Sequence, residues 1–188
     1  MSSNAGRAGF PPAFAARGLG RSPGSRREAG QGPVPADWRE ALEHAARRLR
    51  AVYSRHPWVA QAMASFTRPI VSANVMRYTE WVLRALGDTG LTPYQMIHTH
   101  LVRFAYVQGV AMAAELETQA QQDTGMSDEE WMARNEPQFD VITATGNYPL
   151  LNTLFTQAPF DLDLETLFEF GLARTLDGFA MMIAETSA

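Results

Sequence analysis

Apolar positions follow a helical rhythm from residue 37 onward and follow none before it. Trp38, Leu42, Ala45, Ala46, Leu49, Val52 and Tyr53 recur three and four apart, which predicts a helix over residues 37–54 capped by Asp37. Arg47, Arg48 and Arg50 fall largely on its other side. His56-Pro57 ends that helix and starts a short one over 58–65, with proline in the first turn, where its missing N–H costs nothing. Thr67-Arg68-Pro69 reads as a loop. Val75, Tyr78, Val82 and Leu86 make one stripe of a third helix over 71–86, closed by Gly87 and Gly90. Thr92-Pro93 opens the longest helix, which runs to about residue 122. Its apolar residues, from Met96 and Ile97 through Leu101, Phe104 and Val107 to Val110, spread around much of the circumference. Such a helix is expected to be covered by several neighbours.

Ser127-Asp-Glu-Glu130 is a capping box for a helix through about residue 134, and 136–146 reads as irregular. Pro149 opens another short helix over 149–156. Asp161 or Asp163 caps the last, over 164–185, which carries Leu167, Phe168, Phe170, Leu172, Leu176, Phe179, Met182 and Ile183. No alternating run predicts a strand. The fold class expected is all-α, with about seven helices.

Composition divides the chain at the same place. Residues 1–36 are rich in Gly, Ala, Arg and Pro and have too few large apolar side chains to offset the entropy of ordering. They are expected to form a disordered tail, ahead of a single domain over 37–188. An acid-poor, Arg-rich start superficially suits an organelle transit peptide, but its Gly and Pro spoil an amphipathic helix. A misread start is a further reading. The tail carries a net charge of +4 and the remainder −8. A body that acidic repels a phosphate backbone, so no direct, specific DNA binding is expected of this chain. The absence of cysteine excludes disulfides and thiolate metal sites. No apolar run is long enough to span a bilayer, and no compact apolar segment marks a secretory signal. A cytoplasmic protein is expected.

Catalytic and metal chemistry find no support. His98 and His100 lie two apart on a helix and point away from each other, whereas zinc on a helix wants histidines four apart. No Gly-x-Ser-x-Gly elbow or glycine-rich phosphate loop occurs. No enzyme activity, cofactor or metal is expected. Arg103, inside the apolar part of the long helix, is expected to snorkel to its edge or to meet an acid rather than to bind ligand.

The order of motifs resembles the C-terminal effector and dimerisation domain of tetracycline-repressor (TetR) family regulators. The resemblance lies in Asp37-Trp-Arg-Glu-Ala-Leu42, Ser54-Arg-His-Pro57, Thr67-Arg-Pro69, Gly90-Leu-Thr-Pro93 leading to Val107-Gln-Gly109, and Phe168-Glu-Phe-Gly171-Leu-Ala-Arg-Thr-Leu-Asp-Gly178. It covers about residues 37–185. A helix-turn-helix preceding such a domain is not found in residues 1–36.

The resemblance implies a homodimer in which the long and final helices of two copies form a four-helix bundle. Its interface residues would include Gly109, Phe168, Gly171, Leu172 and Gly178. Packing inside one copy explains these glycines equally well. The resemblance also implies a ligand pocket between the first, third and long helices, lined by Leu42, Ala45, Leu49, Tyr78, Val82, Ile97, His100 and Phe104, with Leu101 beside them and Arg68 at the rim. Arg68 could instead cap backbone carbonyls or pair with an acid, and His100 could be a satisfied core histidine. Two of the family's contacts to magnesium-tetracycline, an Asn on the first helix and a His three residues before Thr-Arg-Pro, fall at Ala45 and Ala64. Tetracycline is therefore not the expected ligand. The expected effector is a small hydrophobic or aromatic molecule, with His100 and Tyr78 supplying hydrogen bonds. The functional expectation is a small-molecule-sensing, dimerising domain of a TetR-type transcriptional repressor without its own DNA reader. The alternative is a dominant-negative protein that heterodimerises with an intact relative.

Overall fold

Asp37 accepts a hydrogen bond from the Arg39 amide at 2.7 Å and starts α1 (Trp38–Arg55) where the periodic pattern begins. The computed structural model describes residues 35–157 and 163–186, so the expected tail over 1–36 lies almost wholly outside the described residues. After α1 come α2 (Trp58–Ala62), α3 (Ala73–Ala85), α4 (Pro93–Thr124), α5 (Asp128–Thr143), α6 (Pro149–Gln157) and α7 (Leu164–Thr186). No strand occurs among the described residues, and the fold is all-helical.

The helix ends follow local chemistry. Thr92 and Gln95 form a reciprocal capping box at the start of α4, with Pro93 in the first turn. Gly125 ends it at φ 68°, a left-handed position that suits glycine. Ser127 and Glu130 repeat the capping box on α5. Asp163, one of the two expected caps of α7, accepts from the amides of Glu165 and Thr166.

Two boundaries differ from expectation. α2 stops at Ala62, leaving 63–72 as a longer irregular segment. α5 does not end near residue 134; it continues through Pro137 to Thr143. A proline removes one helical hydrogen bond and crowds the preceding turn. Here Trp131 and Phe139 meet edge to face across it, centroids 6.4 Å apart, and so tie the two halves together. That contact spans eight residues and is not visible in the local signals that read 136–146 as irregular.

α4 is the central element. It packs against α1, α2, α3 and α7, as its broad apolar circumference requires. The core joins Leu42, Ala46, Tyr53, Leu86, Val107, Phe168, Leu172 and Leu176, all buried. Charge fixes how α1 lies along α7: Arg39, Arg47 and Arg50 pair with Asp177, Glu169 and Glu165 in antiparallel order. Arg50 also lies 4.4 Å above the Phe168 ring. Gln108 is buried on α4 and donates from Nε2 to the Ala60 carbonyl at 2.6 Å, holding α2 in place. α5 and α6 pack chiefly on each other, and no residue of α5 is buried.

Candidate functional site

α1, α3 and α4 diverge on one side to leave a half-open cleft of about 1490 Å³, walled on its fourth side by residues 63–71. Each wall follows from a helical stripe. Ala45 and Leu49 come from α1, Tyr78 and Thr79 from α3, and Ile97, His100, Leu101 and Phe104 from α4. The α4 residues sit at i, i+3, i+4 and i+7, one face of a 3.6-residue helix. Met63, Phe66, Pro69 and Ile70 close the wall after α2. The lining surface is mostly apolar, as in most small-molecule sites, with the charged side chains of Glu40, Glu43, Arg47, Arg48 and Arg55 along its α1 side.

Aromatic rings run along the back of the cleft. Phe66 meets Phe104 edge to face at 5.9 Å, Phe104 lies 6.1 Å from the His100 ring, and His100 lies 6.0 Å from Tyr78. Phe104 also touches Tyr53 edge to face on the core side. Such ring chains are stiff surfaces that favour flat partners.

Some expected site residues lie elsewhere. Leu42 and Val82 are fully buried and do not line the cleft. The rings of His44 and Trp81 meet on the cleft lining at their level, while Leu42 and Val82 belong to the core. Arg68 is exposed and outside the lining, while its neighbour Pro69 belongs to it. Conversely, Phe66, Thr79, His44 and Val52 line the cleft without having been singled out. For Thr79 a signal existed: it stands one turn after Val75, which also lines the cleft. For Phe66 none existed, because its place depends on the path of an irregular segment.

The polar groups are tightly arranged. Tyr78 donates its hydroxyl to the Ala45 carbonyl at 3.1 Å, so its proton is used within the wall. His100 is buried, with Nε2 3.4 Å from Thr79 Oγ1 and Nδ1 3.3 Å from Arg103 Nη2. Burial, reinforced by the Arg103 charge, pushes the His100 pKa down to about 3, so the imidazole is neutral. His98 turns away and contacts the Tyr94 carbonyl, as the two-residue spacing predicts. Arg103 corrects the expectation made for it. It is 0% exposed and pairs with no acid among the described residues; its guanidinium lies against the Tyr78 ring. It is packed between α3 and α4, too far inside for its stem to carry the charge to water.

The expected dimer residues also separate. Phe168 and Leu172 are 0% and 1% exposed within the single chain, so they are core and offer no surface to a second copy. They occupy the side of α7 that faces α1 and α4, together with Leu176 and Phe179. Gly171 is occupied internally by the Tyr106 side chain of α4. Gly109 and Gly178 are different: each is exposed, and a Cβ there would meet nothing within 4 Å. They lie on the outer faces of α4 and α7, near the exposed Val102, Leu116, Phe170 and Met181.

No helix among the described residues is long and apolar enough to cross a membrane. Residues 32–183 match the family model described as "Tetracyclin repressor-like, C-terminal domain". The chain is similar to the HTH-type transcriptional repressor DrrR1 of Streptomyces coeruleorubidus, 35% identical over 156 residues, which covers 80% of this chain and 56% of that protein. The chain thus spans little more than half the length of that relative. The sequence motifs, the helical order and the family match agree, and the chain belongs to the tetracyclin repressor-like C-terminal domain family, a family of non-enzymatic transcription regulators.

Proposed function

We propose that this domain is the effector-sensing and dimerising part of a TetR-type transcriptional repressor. The observation that carries the reading is the cleft. Six residues chosen from the sequence, Ala45, Leu49, Tyr78, Ile97, His100 and Phe104, converge on one apolar, ring-lined space between three helices. Its ligand is a small hydrophobic or aromatic molecule. A second copy covers the outer face of α4 and α7, where Gly109 and Gly178 let helix axes approach and Phe170 and Met181 gain cover. In a full-length repressor, ligand stabilises one of two arrangements of the dimer and thereby lowers operator affinity. DNA contact belongs to the helix-turn-helix part of such a protein, since residues 37–188 are net negative.

A neutral fluorescent probe, N-phenyl-1-naphthylamine, tests the cleft. It should bind saturably, one per chain, and Ile97→Trp, which intrudes on the cleft from its α4 wall beside His100 and Phe104, should weaken binding. Unsaturable binding, or binding indifferent to Ile97→Trp, would sink the sensing role. Sedimentation equilibrium tests the dimer separately.

A further inference from the structure

We infer that the cleft takes an aromatic organic acid, its anionic oxygen accepting from the Thr79 hydroxyl, which His100 Nε2 orients, in front of the buried Arg103 guanidinium. The inference rests on the effector reading above and narrows the chemistry of its ligand.

Arg103 is the only charged side chain buried among the described residues, and its Nε and Nη1 have no hydrogen-bond partner. An ionised group held in the interior without a counter-ion is strongly destabilising, and arginine does not shed its proton to escape. What the arrangement lacks is a negative charge nearby. Its immediate surroundings are the Tyr78 ring, 5.7 Å away, and the His100 imidazole. Neither supplies that charge.

The path from Arg103 to the cleft runs through His100. Arg103 Nη2 donates to His100 Nδ1 at 3.3 Å. A neutral imidazole that accepts at Nδ1 carries its proton on Nε2. That nitrogen faces Thr79 Oγ1 at 3.4 Å, and both residues line the cleft. When Nε2–H donates to Thr79, the threonine hydroxyl is left to donate onward. The polar spot in the wall is therefore one threonine hydroxyl donor, oriented by the imidazole and backed by a cation. An oxyanion is the group that uses both the hydroxyl and the charge.

The mouth of the cleft has the same bias. Arg47, Arg48 and Arg55 stand on its lining, against the acids Glu40 and Glu43. Glu43 is already engaged by Arg39 and Arg47. Arg47 is engaged in turn by Glu43 and Glu169, so an approaching anion meets Arg48 and Arg55 against Glu40. The flat rings of Phe66 and Phe104 then take the apolar part of the ligand.

A matched pair of fluorescent probes separates this from plain apolar binding. 1-Anilinonaphthalene-8-sulfonate and N-phenyl-1-naphthylamine share a skeleton and differ by one sulfonate. An ordinary greasy pocket prefers the neutral amine. This cleft should prefer the sulfonate by roughly tenfold or more, the scale of one charge interaction at intermediate dielectric. Arg103→Met should remove that preference while leaving amine binding unchanged, and Thr79→Val should weaken the sulfonate alone. Arg103→Met deletes an unpaired buried charge, so it should melt no lower than the parent. Should it fail to fold, Arg103→Gln, uncharged but polar, takes its place. Equal binding of both probes to the parent, or equal weakening of both by the variant, overturns the anion site and leaves the effector cleft standing. Failure of both probes to bind removes the cleft reading as well.

Discussion

The Tyr106 phenol of α4 rests directly on the backbone of Gly171 of α7, where an added Cβ would fall 2.6 Å from Tyr106 Cζ. The same hydroxyl donates to the carbonyls of Leu167 and Phe168 at 2.9 Å, and the ring stacks on Phe168. The tyrosine is pinned at both its ring and its tip, so it has little room to yield. Gly171→Ala should therefore destabilise the domain by about 1–3 kcal/mol, the usual cost of overpacking a filled site. Urea denaturation of parent and variant measures this; an unchanged midpoint would show that Tyr106 swings aside freely.

Gly109 and Gly178 should behave in the opposite way. With nothing near a Cβ in the single chain, alanine at either position gains about 1 kcal/mol of helix propensity in an isolated copy. If two copies bring these helices close, the added methyls obstruct association. The double variant Gly109→Ala/Gly178→Ala should raise the dimer dissociation constant by sedimentation equilibrium while leaving helicity intact. Tighter association would argue that the dimer lies elsewhere.

His100 predicts a pH dependence of stability. It stays neutral in the fold down to about pH 3, whereas an unfolded histidine titrates near 6.5. Between those values the unfolded chain takes up a proton that the folded chain refuses, so stability falls as pH falls from about 6.5 to 3 and is unaffected above 6.5. The facing groups are the Arg103 guanidinium and the uncharged Tyr78, Thr79 and Phe104. Asp163, Glu165 and Asp177 are held below the usual carboxylate range and add their own loss at lower pH: Asp163 by hydrogen bonds from Thr166, the other two by their arginine partners. The difference between parent and His100→Asn isolates the histidine. Parallel profiles from pH 7 to pH 4 would refute its neutral burial.

Gln108 should matter to the cleft without touching it. Gln108→Leu leaves the Ala60 carbonyl without its partner, which costs about 1–3 kcal/mol for a buried group. The segment after α2, which brings Met63, Phe66 and Ile70 to the cleft, should then open more often. Faster amide exchange over residues 58–70, with weaker probe binding, is the expected pair of results. Unaltered exchange there would mean that α2 is held by its apolar contacts alone.

Hydrophobic spacing and caps were enough to start each of the seven helices among the described residues, because Asp37, Thr92, Ser127 and the prolines act within a few residues of themselves. The same spacing named the α4 wall of the cleft, since residues one turn apart must share a face. It misread α5, where a contact across Pro137 keeps the helix going, and it missed Phe66. It also could not choose between the two apolar sides of α7: Phe168 and Leu172 against Leu167 and Phe170.

By itself, then, the chain's order of residues determined its helical class, its helix starts and the acidic character of its body. Those depend on neighbours in sequence and on composition. Only the tertiary structure decided that Leu42 and Val82 sit beneath the cleft rather than in it, that Gly171 is filled by Tyr106, and that Arg103 lies buried behind His100. Each of those is a matter of which helix faces which. Periodicity says that a face is apolar, but the partner it meets is fixed by packing around α4, where residues far apart in sequence compete for the same space.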